Sequence, residues 1–132
     1  MNLNLKKKNI IVFGSEGLIG KKICLEIIKS NGNLISADIK KKKSNDYFQI
    51  DVNNISQLHK LKKKIIKKYR SIDAIIICVY PKAKIKNRDF FKINNQLFLK
   101  ELNLHFGAYF NIHQVFLKYF HTIKSGNIIN FS

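Results

Sequence analysis

The apolar residues Ile10 to Phe13 run directly into glycines at positions 14, 17 and 20, an order that reads as a strand, a tight turn and a helix start. A side chain at Gly14 would block the turn, Gly17 allows the backbone to approach a diphosphate, and Gly20 allows the helix to pack closely on a sheet. Amides at the helix start would face the phosphates, assisted by the helix dipole. A glycine triplet alone also fits a turn that binds nothing, so the residues that follow decide. The helical pattern runs to about Ser30, Asn31-Gly32 closes it, and Leu34 to Asp38 is a second strand ending in an acid 18 residues past Gly20. A carboxylate there accepts the ribose hydroxyls of an adenosine. Together these elements form a βαβ dinucleotide-binding pattern.

The net charge of +17 raises nucleic acid as an alternative partner, because clustered cations bind phosphate backbones through counterion release. Two observations argue against it. Arg70 and Arg88 are the only arginines, whereas phosphate-forking and base-reading surfaces favour arginine. The lysines are also spread over many segments, and Lys, Asn and Ile account for 60 of the 132 residues, the composition that codon drift in an A/T-rich genome produces. Cys24 and Cys78 form no CxxC pair, so neither a zinc site nor a disulfide framework is expected. Lys6 to Lys8 precede only four apolar residues before Gly14, too few for a signal-peptide core, and no run reaches the length of a membrane span. A soluble, cytoplasmic domain is the expectation.

In the first helix, Ile19, Ile23, Ile27 and Ile28 are expected to form the stripe that covers the sheet. Lys40 to Lys43 then read as a solvated loop; the alternative, that a lysine here neutralises a 2′-phosphate and admits NADP, is opposed by Asp38. Tyr47 to Ile50 is a third strand, with Asp51 and Val52 following at the carboxyl edge where ligands bind in open α/β sheets. Asn54 can cap a second helix, with Gln57 completing a capping-box-like pair, and the apolar spacing from Ile55 to Tyr69 is helical. His59 lies among lysines and reads as solvent-exposed. Ile72 to Val79 is a near-continuous apolar run, the pattern of a parallel strand buried on both faces. A basic loop over 82–89 precedes an aromatic-rich helix from about Asn95 to Thr122, whose wide apolar face could serve both the sheet and a partner subunit. Its histidines at 105, 113 and 121 are eight apart and lack the spacing of a zinc pair. Ser125-Gly126 ends that helix, and Asn127 to Ser132 starts a fifth strand. Parallel, right-handed crossovers arrange the five strands as 3-2-1-4-5, a doubly wound Rossmann-type α/β sheet cut off after strand 5.

With these pieces in register the chain resembles the first half of a short-chain dehydrogenase/reductase, over essentially all 132 residues. Gly14 to Gly20 resembles the family's nucleotide turn, in the GxxGxxG spacing of its extended, sugar-nucleotide members, with Phe13 where threonine is usual. The resemblance implies an NAD(P)-binding domain over 1–132, with cofactor contacts at Gly14, Ser15, Gly17, Leu18, Ile19, Gly20, Asp38, Asp51, Val52 and Val79. It implies NAD rather than NADP, and it places Asn103 in the catalytic proton relay. The implied activity is reversible hydride transfer between a nicotinamide and an alcohol or ketone. Tyr80-Pro81 and the segment from Asn103 to Phe110 are similar to bacterial reductases associated with surface polysaccharide or flagellin sugar modification. The implied partners are a small-molecule substrate and a second copy of the complete protein.

Two departures qualify the resemblance. Ile77-Cys-Val-Tyr80 stands where the family carries Asn-Asn-Ala-Gly, and the catalytic serine and Tyr-x-x-x-Lys pair of the family would fall beyond residue 132. The 132-residue chain alone is therefore expected to be inactive. A non-catalytic dinucleotide-binding module, or a decayed remnant, is the alternative that the missing Asn-Asn-Ala-Gly favours.

Overall fold

The computed structural model describes residues 4–81 and 89–131. Five parallel strands, β1 (Asn9–Phe13), β2 (Asn33–Asp38), β3 (Tyr47–Gln49), β4 (Ala74–Ile77) and β5 (Asn127–Asn130), form one sheet in the order β3-β2-β1-β4-β5. The expected topology is observed. Three helices connect them: α1 (Leu18–Lys29), α2 (Ile55–Tyr69) and α3 (Asn95–Ile123). A short 3-10 turn over Phe90–Lys92, capped by Asp89, precedes α3. Of the loop read from the sequence over 82–89, only Asp89 lies within the described residues.

All five β1 residues are buried, because helices cover both faces of this central strand. Ile11 and Phe13 point into the larger core, with Ile35, Ile75, Leu58, Ile65 and Phe116, beneath α2 and α3. Ile10 and Val12 point the other way, against Cys24 and Ile27 of α1. The alternation follows from the two-residue period of a strand. Phe13 and Phe116 meet edge-on with ring centroids 5.7 Å apart, which fastens α3 under the glycine turn. Asn9 ties the opposite end of the sheet together: its side-chain amide donates to Ser71 O at 3.0 Å and its carbonyl accepts from Asn33 at 3.0 Å.

Two expectations about packing need correction. In α1 the buried positions are Gly20, Cys24 and Ile27, with Ile23 partly buried, whereas Ile19 and Ile28 are exposed. The helix is rotated toward its small residues because close approach at Gly20 sets its seat. β4 is not buried on both faces either: Ile75 and Ile77 are, but Ala74 and Ile76 are only half-buried. α1 reaches across β1 and β2 and leaves the same face of β4 and β5 largely uncovered. The cap of α2 forms as expected, Asn54 accepting from Gln57 N–H at 3.1 Å. The Gln57 side chain returns to Asp51 N–H, at 3.0 Å, and so braces the loop after β3.

Candidate functional site

β1 ends at Gly14, whose φ of +80° is left-handed and whose Cβ, if present, would lie 2.6 Å from Cys78 O. The turn is stitched to the neighbouring strand: Gly14 N–H and Ser15 N–H both donate to Ala37 O, at 2.8 and 3.3 Å. At Gly20 a Cβ would stand 2.1 Å from Gly14 O, so the close packing expected there is onto the turn's own backbone rather than onto the sheet. Gly17 differs from both. It is the N-cap of α1 in extended conformation, a Cβ would touch only Gly14 O at 3.2 Å, and no side chain caps the helix. The first amides of α1, at Leu18, Ile19 and Gly20, therefore have no side-chain cap. The Leu18 and Ile19 side chains are exposed, and Ser15 Oγ is buried without a hydrogen-bond partner.

Asp38 meets the glycine turn from the end of β2. Its carboxylate is buried, and each oxygen accepts a backbone amide: Oδ2 from Glu16 at 2.9 Å, Oδ1 from Lys40 at 3.0 Å. These bonds join the acid to the glycine turn, so the two halves of the sequence pattern are one structural unit. They also orient the carboxylate without consuming all its acceptor capacity, since an ionised carboxylate has about four lone-pair sites. Asp51 and Val52 lie in the next loop along the same carboxyl edge. Asp51 accepts Asn53 N–H at 2.9 Å, while Val52 is buried in the main core and offers its carbonyl to the Asn111 amide at 3.3 Å. Val79, just past β4, is half-buried; its carbonyl lies 3.4 Å from Tyr109 Oη, which donates to Phe131 O at 2.5 Å. Burial pushes the Tyr109 phenol up from its ordinary range.

Asn103 stands apart from this group. It is exposed, eight residues before Asn111, which places it about 12 Å farther along α3 than the contact with the β3 loop. Three residues that bear on the edge escaped the sequence reading. Tyr109 and Asn111 tie α3 to the loops after β3, β4 and β5, and their signal was masked by the aromatic periodicity of the helix. Glu16 is the third. Its carboxylate pairs with Lys42 at 2.6 Å and with Lys21 at 3.6 Å, although Lys40 to Lys43 are all solvent-exposed, as expected of that loop. An acid inside a glycine turn flanked by lysines was the available signal.

Nearby, the His105 ring packs against Tyr80, with centroids 4.6 Å apart, and its Nδ1 is buried without a hydrogen-bond partner. Tyr80 thus fills, with a ring on α3, the place at which the resembled motif carries glycine.

The sequence model of the short chain dehydrogenase family matches residues 8–132. The chain belongs to this family. Among curated proteins, this family member is similar to the post-translational flagellin modification protein A of Campylobacter coli, with 29% identity over 143 residues, spanning 97% of this chain and 56% of that protein. Among solved structures it is similar to a short chain dehydrogenase from Leptospira borgpetersenii with bound NAD+, at a TM-score of 0.82 and 17% identity, covering 98% of this chain and 52% of the other. It is also similar to ElxO with NADP bound, at a TM-score of 0.78 and 20% identity, covering 93% and 54%. This chain thus spans about half the length of the proteins it matches.

Proposed function

We propose that this chain is the cofactor-binding half of an NAD-dependent oxidoreductase that moves a hydride between nicotinamide and an alcohol or ketone carbon. The observation that carries the proposal is the direct bonding of Asp38 to the glycine turn, at the carboxyl edge of a 3-2-1-4-5 sheet, beside a helix start that no side chain caps. The residues present fit the dinucleotide. The amides from Leu18 to Gly20 would hold the diphosphate, Asp38 the adenosine ribose, Asp51 and Val52 the adenine, and Ser15 and Val79 would line the remaining length. The bound dinucleotide supplies or accepts the hydride. Asn103 would hold a water in the proton relay.

The flagellin-modification relative favours a sugar-linked substrate. Exposed Phe106 and Phe110 on α3 favour association of the complete protein with a second copy. A cytoplasmic site of action belongs to the same proposal; among the described residues no helix is long and apolar enough to cross a membrane. The acidic pair Asp38 and Glu16 favours NAD over NADP, and the spread of the lysines leaves nucleic acid without a concentrated site.

The test is titration of the purified chain with NADH, followed by fluorescence. Saturable binding is expected in the wild type, with at least tenfold weaker binding in Asp38→Ala; no binding would sink the proposal. A second reading, a dinucleotide-binding module without catalysis, is favoured by Tyr80 and its ring contact with His105. It is distinguished by NADH binding without turnover even when the chain is joined to the catalytic half of its flagellin-modification relative.

A further inference from the structure

Resting on the dinucleotide reading, we propose that Glu16 is a specificity-determining residue, which excludes a 2′-phosphate by holding the lysines that would otherwise bind it. Three ammonium groups converge on this residue. Lys42 Nζ lies 2.6 Å from Oε1, Lys21 Nζ lies 3.6 Å from Oε2, and Lys40 Nζ lies 3.5 Å from the backbone carbonyl. The Glu16 side chain is only 18% exposed, so its carboxylate is enclosed among these cations rather than waving in solvent. The hydrogen bond from Lys42, more than any other interaction, holds the Glu16 carboxyl below the ordinary glutamate range.

Position is what gives this cluster its consequence. Glu16 N–H is bonded to Asp38 Oδ2, and Lys40 N–H to Asp38 Oδ1, so the cluster and the ribose acid share one piece of backbone. An adenosine whose ribose hydroxyls reach Asp38 brings its 2′-oxygen to the same place. A phosphate on that oxygen, at close to two negative charges, would need free cations. Of the three lysines on Glu16, the one bonded most closely is committed: Lys42 is paired with the Glu16 carboxylate and lies 5.7 Å from the centre of the Tyr47 ring. Asp38 alone repels the phosphate. Glu16 adds a second negative charge and withdraws the cations that could compensate the first.

Removing the Glu16 charge should therefore release Lys42 and Lys21 to a 2′-phosphate without disturbing Asp38, whose bond comes from the Glu16 backbone. The experiment measures dissociation constants of NADH and NADPH for the wild type, Glu16→Gln, Lys42→Met and the double variant. Wild type is expected to prefer NADH. Glu16→Gln should lower the NADPH to NADH ratio of dissociation constants at least tenfold, with NADH affinity changed less than about threefold, and Lys42→Met in that background should reverse most of the gain. The gain should also fade as salt is raised, because it comes from the attraction of an exposed ammonium, Lys42, for the phosphate. Lys42→Met alone should leave the ratio within about twofold, and because it leaves Glu16 in place it reports even if Glu16→Gln folds poorly. An unchanged ratio in folded Glu16→Gln that still binds NADH would overturn the role of Glu16 and leave the dinucleotide reading intact. A Glu16→Gln gain that Lys42→Met leaves undiminished, or weaker discrimination in Lys42→Met alone, would overturn it too. Failure of the wild type to bind either nucleotide would overturn both.

Discussion

Gly14 and Gly17 look alike in the sequence, and the structure gives them opposite sensitivities. Gly14→Ala forces a side chain into a left-handed φ of +80°, at about 1–2 kcal/mol. It also sets a methyl 2.6 Å from Cys78 O and 2.8 Å from the adjoining carbonyl carbon, contacts that relax only if β1 and β4 separate at their carboxyl ends. A total loss of about 3 kcal/mol is expected, within the range of core overpacking plus backbone strain. Gly17→Ala has neither problem. Its φ of −78° suits any residue, and the new methyl meets only Gly14 O at 3.2 Å. The expected cost is about 1 kcal/mol, the difference between glycine and alanine at an N-cap. That same methyl projects beside the uncapped amides of α1, where the proposed diphosphate would have to come close. NADH affinity should therefore fall at least tenfold, about 1.4 kcal/mol, in a protein that keeps most of its stability. Urea unfolding followed by circular dichroism measures the first quantity and NADH titration the second. Wild-type NADH affinity in Gly17→Ala would refute the placement of the diphosphate. Near wild-type stability in Gly14→Ala would refute the geometry of the turn.

Two further predictions concern the frame that holds the site. Phe116→Ala removes a fully buried ring that meets Phe13 edge-on and should cost about 3–5 kcal/mol in urea unfolding; a loss below about 1 kcal/mol would mean α3 is not seated on the sheet. Burial, then the neighbouring Cys24, pushes the Cys78 thiol up to about 11. The folded state then keeps a proton that the unfolded state releases near its ordinary value of 9.0, so this group's contribution to stability is complete below that pH and declines as pH rises toward 11. At pH 8, iodoacetamide should alkylate Cys78 about a hundredfold more slowly in the folded chain than in urea, and equal rates would show the thiol to be open to water.

Much of this architecture was legible in local pattern. Strand and helix periods, the glycine spacing and the terminal acid of β2 each depend on neighbours within a few residues, so they announced five strands, their order and the association of the glycine turn with Asp38. Their boundaries moved by only one or two residues, as with Asn33 joining β2 and Ile50 leaving β3. The α1 stripe was misread because periodicity counts apolar side chains and not the depth of approach. Ile19 and Ile28 are apolar yet exposed, while Gly20 and Cys24 are small and buried. β4 was overestimated for a related reason: a continuous apolar run shows what could be buried, and coverage depends on where the neighbouring helix lies.

What the sequence determined by itself is the fold class and the two ends of the candidate site, the glycine turn and Asp38, since both follow from short-range chemistry along the chain. Only the tertiary structure decided how that site is charged. Glu16, Lys21, Lys40 and Lys42 belong to a turn, a helix and a loop up to 26 residues apart. They meet because β1 and β2 pair in parallel register and bring their carboxyl ends side by side. Coulombic and hydrogen-bonding energies depend on distances in space, which sequence separation does not give, so a glutamate that reads as one more surface acid becomes the partner of Lys42 and Lys21 while its backbone holds Asp38.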